Sequence, residues 1–441
     1  MFDTLKNAVK NPDIRKKLLF TLLLLVIFRL GCYITVPMVN IETLNETMSA
    51  SENGITGLIN MVSGGAFSRL SIFAMSITPY ITASIVIQLL AMVIPALERL
   101  TKEGGEEGRK KIDRYTKLIS LALAVVEAVA VYFSYKNSGL FVSTGTLTGF
   151  VVILSLVAGT SLLMWLGDKI TSKGVGNGIS MIIFAGIVSG IPSALMQIFG
   201  LVNKDGQFST TGLITAILMV LGVLILVVGV VFVQLAERRI PVQYSKRVVG
   251  RKMMGAQNTH IPIKPAMASV MPIIFASSFM TFPAMVIEIF VHDIENHSGL
   301  LRMVYNLSIA TSSSNVGWQY TIINAIIYLL LIIGFTYFYT YATFNPAEVA
   351  NNIKQNGGFI PGIRAGKPTA DYLSSVLSKV VLFGGIFLAG IAILPMFAKA
   401  TGLNTAFGGS SILIVVGVAI ELSQQLQSLL VMKHYKGFLE K

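Results

Sequence analysis

Apolar residues gather into ten long runs, at 18–36, 72–94, 117–135, 148–167, 179–198, 212–234, 267–290, 319–343, 376–396 and 410–431. A bilayer core about 30 Å thick is crossed by roughly 20 apolar residues in helical conformation. Each run has that length, so the pattern predicts ten membrane-spanning helices. The first run is long enough to span, and no small-x-small cleavage site follows it, which sets it apart from a removable signal peptide. Before it, residues 1–17 mix spaced apolar positions (Phe2, Leu5, Val9, Ile14) with basic ones, as in a short helix on the membrane surface. The longest segment between runs, 37–71, has 35 residues and leaves no room for a soluble domain. The second run extends beyond its span. As one helix, residues 57–94 would measure about 57 Å, too long for a single crossing. Ser63-Gly64-Gly65 and Ser68-Arg69 interrupt it. The reading is a half-helix entering from outside, then a true span from residue 72. Irregular backbone at membrane depth persists only where protein or a water-filled cavity surrounds it, so a cavity is implied.

Composition agrees. Residues of the set AVILMFWYC make up 54% of the 441, and charged residues only 12%, about half the usual share. The single cysteine, Cys32, excludes an intrachain disulfide. The net charge of +13 would suggest nucleic acid in a soluble protein. Here its distribution matters more. Segments 1–17, 95–116, 168–178, 235–266, 344–375 and 432–441 hold 26 Lys and Arg, and the alternate segments hold 5. Basic residues mark cytoplasmic loops, so both termini are expected in the cytoplasm. Ten spans divide into two sets of five, and an odd number per set requires any structural repeat to be inverted.

The spans carry little chemistry. All four histidines lie outside them, and there is no HExxH motif, Cys/His cluster or P-loop. An intramembrane hydrolase, a bound metal or cofactor, and nucleotide hydrolysis are not expected. Arg29, Glu127, Glu288 and Glu421 fall within spans and read as buried charges facing other helices. An ion-coupled secondary transporter, which also uses inverted repeats and a broken helix, is the alternative class. It needs a substrate site near the midplane that these scattered carboxylates do not supply.

Five stretches together resemble one family. SGGAFSRLSIFAMSITPYITASIVIQLL (63–90), LLMWLGDKITSKGVGNGISMIIFAGIV (162–188), AQNTHIPIKPAMASVMPIIFASS (256–278), FNPAEVANNIKQNGGFIPGIRAGKPT (344–369) and FGGSSILIVV (407–416) are similar, in order, to motifs of the SecY family, the central subunit of the bacterial protein-translocation channel. The one departure is PGIRAG, usually PGIRPG, which keeps Arg364 but has Ala365. The resemblance implies an all-α polytopic membrane protein, with ten transmembrane helices in two inverted five-helix halves around a central pore. The N-terminal half would be 18–198, the external linker 199–211, the C-terminal half 212–431 and the cytoplasmic tail 432–441.

By the same resemblance, Ile77, Ile81, Ile179, Ile183, Ile274 and Ile414 form a ring at the pore's waist. Ile77/Ile81 and Ile179/Ile183 are i, i+4 pairs, each on one helix face, and an apolar ring dewets and blocks ions. The half-helix at about 57–70, with Asn60, Met61, Val62, Ser63, Gly64, Gly65, Ala66 and Phe67, would be a plug in the outer funnel. Thr82, Ser84 and Gln88 on the second span and Ser277 and Ser278 on the seventh would line a lateral gate into lipid. The basic loops 235–266 and 344–375 would dock a motor or a ribosome through Lys246, Arg247, Arg251, Lys252 and Arg364, with VQYSKRVVGRK forming short strands around a basic turn. Implied partners are the small subunits SecE and SecG, the motor ATPase SecA, the ribosome, signal-peptide-bearing chains and membrane lipids. The implied function is a passive, non-enzymatic conduit in the bacterial plasma membrane that translocates unfolded chains and releases membrane segments sideways.

Overall fold

Each apolar run becomes helix, with ends set by caps and breakers rather than by where hydrophobicity stops. The computed structural model describes residues 2–44, 63–102, 105–136, 138–143, 145–204, 207–244, 248–249, 252–253, 258–267, 270–290, 299–310, 317–400 and 409–439. Helix α1 (Phe2–Lys10) occupies the first part of the segment 1–17 expected as a short helix. It stops at Asn11, whose side chain accepts from Asp13 N, and Pro12 opens α2 (Pro12–Gly31). The first span therefore starts and ends earlier than 18–36. Helix α3 begins at Thr78 and runs to Val93, with Pro79 in its first turn. The helical start expected at residue 72 is corrected, since residues 64–77 are tight turns with Leu70 and Ser76 at φ 39° and 53°. At Pro95 the chain bends by 106° into α4 (Pro95–Lys102), because the residue before a proline is steered out of helical conformation.

The chain continues through α5 (Gly105–Tyr135) and α6 (Thr146–Lys173). The fifth run is split at Gly190 and Pro192 into α7 (Gly178–Ser189) and α8 (Ile191–Val202). In the second half follow α9 (Thr210–Leu235), α10 (Met271–Phe290), α11 (Leu300–Ile309), α12 (Trp318–Thr343), α13 (Pro346–Gln355), α14 (Lys367–Ala400) and α15 (Gly409–Leu439). Among the described residues, seven helical stretches are long and apolar enough to cross a membrane unaided. The other three runs fall on α2, which carries Arg15, Lys16, Lys17 and Arg29, on the bent pair α3–α4, and on α10, which contains Pro283.

Strands are confined to the connections. A short hairpin of β1 (Asn203–Lys204) and β2 (Gln207–Phe208) joins the halves. In the basic loop, β3 (Arg238–Tyr244) pairs antiparallel with β6 (Asn258–Ile263), while β4 (Val248–Val249) pairs with β5 (Lys252–Met253) around the basic turn. Strand β7 (Gly358–Phe359), from the other long loop, adds to β3. The two basic loops thus share one sheet, backed by Ile240, Val242, Ile263, Ala350, Ile353 and Leu373.

Candidate functional site

The six ring isoleucines come from four separated stretches of chain. Ile77 caps α3 and Ile81 lies one turn in; Ile179 and Ile183 share α7; Ile274 is on α10 and Ile414 on α15. All but Ile179 are at most 9% exposed and belong to one hydrophobic cluster, and half-buried Ile179 packs against it. Both halves of the chain contribute. Small residues bring the helices together: a Cβ on Gly178 would meet the Gly167 carbonyl at 1.9 Å. That close approach seats α7 on α6.

A cavity of about 430 Å³ ends on this cluster. Ile274, Ile414, Val270 and Val418 form its apolar end; Asn177, Ser180, Gln234, Lys264, Glu421 and Gln424 supply its polar wall. It lies on the side of the basic loops, to which Lys264 belongs. Gln234 is buried, and among the described residues its Nε2 has no hydrogen-bond partner. The arrangement is a vestibule with a polar wall that ends on branched apolar side chains. The polar lining residues other than Glu421 escaped sequence reasoning, because nothing local distinguishes them from packing residues.

Asn60, Met61 and Val62 lie outside the described residues. Ser63 and Ala66 are buried, and Ala66 belongs to the same cluster as the ring. Phe67 packs instead into a separate core with Leu70, Tyr132 and Phe141. Gly64 and Gly65 have φ of 65° and 83°, a left-handed conformation that favours glycine. Arg29, read from sequence only as a buried charge, donates from Nη1 to the Gly64 carbonyl at 2.8 Å.

Helices α3 and α10, which carry the expected gate residues, pack against each other. Thr82 donates to Thr78 O at 3.1 Å and Ser277 to Ile274 O at 2.8 Å, both within their own helices. Ser278 is half-buried, its carbonyl accepting from Thr281. Within α3, Gln88 Nε2 donates to Ser84 at 3.1 Å, and Gln88 Oε1 accepts from the hydroxyl of Tyr339, a bond that joins α3 to α12. The Tyr339 ring also lies 4.9 Å from that of Phe275, tilted by 32°. Its role was not legible in the chain, where it sits within the aromatic stretch FTYFYTY of an apolar run.

Of the docking residues, Lys246, Arg247 and Arg251 lie outside the described residues, and Lys252 is in β5. Arg364 is exposed on a turn whose shape comes from Gly362 and Gly366, at φ 81° and 106°, and from Thr369 Oγ1 donating to Arg364 O at 2.8 Å. The turn is held without a proline at 365. Glu127 is buried, Glu421 lines the vestibule, and the side chain of Glu288 lies outside the described residues.

Residues 71–423 match the SecY family model. The chain is 43% identical over 448 residues to the protein translocase subunit SecY of Halalkalibacterium halodurans, and 42% identical over 449 residues to that of Bacillus subtilis, with both partners covered in full. Its fold is similar to a solved structure described as a protein conducting channel, with a TM-score of 0.66 at 22% identity, covering 93% of this chain and 91% of that one. Sec61 in the canine ribosome–channel complex from the endoplasmic reticulum gives a TM-score of 0.61 at 20% identity, with coverage of 93% and 91%.

Proposed function

The chain belongs to the SecY family of pore-forming translocation subunits, a ten-span polytopic membrane fold, and on that premise we propose how its parts divide the work. The observation that carries the reading is the vestibule ending on isoleucines drawn from four stretches of chain. Ile77, Ile81, Ile179, Ile183, Ile274 and Ile414 act as the ring through which an unfolded chain passes. They form no hydrogen bonds with it and close behind it. The segment from Asn60 to Phe67 is the stopper above the ring. The seam of Thr82, Ser84 and Gln88 against Ser277 and Ser278 is the lateral exit, and we add Tyr339 to it. A leucine-rich segment gains a few tenths of a kcal/mol per residue in lipid, while a charged residue at the centre loses about 3, so partition at an open seam sorts membrane segments from secreted chain.

The chain is a passive conduit in the bacterial plasma membrane with both termini in the cytoplasm, driven by SecA or by the ribosome and assembled with SecE and SecG. Lys246, Arg247, Arg251, Lys252 and Arg364 are its docking residues. That β3 bridges the two basic loops supports a single landing body. Arg364→Glu tests this. The variant leaves two Lys in 344–375, above the single Lys399 of the next external segment, so orientation should survive. Reversed charge at a docked pair replaces attraction with repulsion. SecA-driven transport of a secretory precursor into vesicles should collapse, while protease mapping of the loops stays unchanged. Normal transport would remove Arg364 from docking.

A further inference from the structure

An ionisable residue inside a membrane span marks function by default, and Glu421 is one. It is not the buried charge that its apolar run suggested: it is exposed and lines the vestibule. Among the described residues the ion pairs join Glu107, Asp113, Asp168 and Glu237 to their cations, and Glu421 belongs to none of them. It is also the one carboxylate among the described residues that line the cavity.

Helix geometry fixes its place. Ile414, Val418, Glu421 and Gln424 follow each other at steps of four, three and three, so they share one face of α15, and all four line the cavity. That face runs from the ring to a carboxylate about 10 Å along the axis from Ile414, then to an amide. The same cavity is lined by a donor without an acceptor. Gln234 is only 7% exposed, and among the described residues its Nε2 has no partner. Tyr339 lines the cavity too, so the space that holds Glu421 extends to the residue whose hydroxyl bonds Gln88 of α3.

The surroundings narrow the choice of ligand. The segments expected in the cytoplasm hold 26 Lys and Arg against 12 Asp and Glu, and a field of that sign repels cations. Lys264, the one cation among the described cavity residues, belongs to that basic set. A carboxylate on the entry path runs against it. An unpaired carboxylate and an unused amide donor in one cavity suit a positively charged side chain and a carbonyl of the chain that carries it. A signal segment offers both, because a basic n-region precedes its apolar stretch.

We propose that the vestibule is the landing site for the basic n-region of a signal segment: Glu421 pairs with its Lys or Arg, Gln234 Nε2 donates to a backbone carbonyl of the same stretch, and the apolar part is thereby set beside Tyr339 and the seam. Glu421 is thus a specificity-determining residue, reading the charge at the start of the segment. The inference rests on the reading of the vestibule as the entry to the pore.

The test uses the assembled complex in vesicles and three forms of one secretory precursor, with two Lys, two Gln or two Glu in the n-region. Transport of each by a variant channel is divided by transport of the same precursor by the unchanged channel. Glu421→Gln should lower the Lys form about threefold relative to the Gln form, the scale of one solvent-accessible ion pair. Glu421→Lys should widen that gap to about tenfold and favour the Glu form. Gln234→Leu should lower all three forms alike, since a carbonyl carries no side-chain charge; no loss would remove Gln234 from the site. Equal losses for the three forms in the Glu421 variants would refute the counter-charge and point to docking of the motor instead. A photoreactive residue at Gln424, one turn from an intact Glu421, separates the two readings and decides even if the Glu421 variants fail to assemble. It should cross-link the n-region of the Lys form several times more than that of the Gln form. Equal cross-linking would refute the counter-charge and leave the entry standing, and no cross-link to any chain in transit would overturn both.

Discussion

Tyr339→Phe removes one hydroxyl from the seam and leaves the rest standing. The ring stays 4.9 Å from Phe275, and Gln88 keeps its bond to Ser84. What is lost is the hydroxyl that joins α12 to α3 through Gln88. Hydrogen bonds between membrane helices average about 0.6 kcal/mol and reach about 1.7. A loss of about 1 kcal/mol shifts the open-to-closed ratio of the seam roughly fivefold. A leucine at the centre of a membrane segment contributes about 0.3–0.6 kcal/mol, so the same shift is equivalent to about two leucines. A series of test segments with graded leucine content, embedded in a secretory protein and scored by protease protection, should reach half insertion with about two fewer leucines in the variant. Gln88→Leu should move the threshold in the same direction, and the double variant should do no more than the larger single effect. An unchanged threshold, or fully additive effects of the two substitutions, would show that this bond does not hold the seam.

Two further outcomes concern the waist. Replacing Ile81 and Ile183 together by Gly should raise the ion conductance of idle channels in planar bilayers, since both are buried in the cluster that closes the vestibule; unchanged conductance would remove them from the seal. Gly178→Ala should lower the thermal midpoint and also cause leak, because a Cβ lying 1.9 Å from the Gly167 carbonyl forces α7 off α6, at a cost of about 1–3 kcal/mol, and Ile179 and Ile183 ride on α7; a stable, tight variant would refute that coupling.

What the chain revealed before folding was set by the membrane. Ten apolar runs and a lopsided distribution of Lys and Arg are long-range patterns that lipid enforces, and each run falls on helix over most of its length. Ends were less legible because local caps decide them. Asn11 and Pro12 start α2 well before its apolar run, and Pro79 delays α3 to Thr78 after a run that looks continuous. The isoleucine ring came from family motifs, since an isoleucine in a span looks the same whether it faces lipid or a pore. Its convergence in one cluster needed the tertiary structure. Tyr339 and Gln234 were missed for the same reason, and Arg29 was seen without its partner because that partner is a backbone carbonyl, which leaves no trace in a sequence.

The bond from Tyr339 to Gln88 bears on what opening the seam would cost. Between helices in lipid, apolar contact gains little, because the tails that replace a neighbour are equally apolar, and polar bonds weigh more. The ring cluster and the seam are otherwise lined by Ile, Phe, Val and hydroxyls whose bonds close within their own helices, as Thr82 and Ser277 show. Such surfaces separate without leaving unpaired groups. Among the described residues the polar bond that joins α3 to α12 is that of Tyr339 to Gln88. If the seam opens there, a signal helix that takes the place of lipid leaves the apolar balance nearly unchanged, and the cost of opening is set by that one bond.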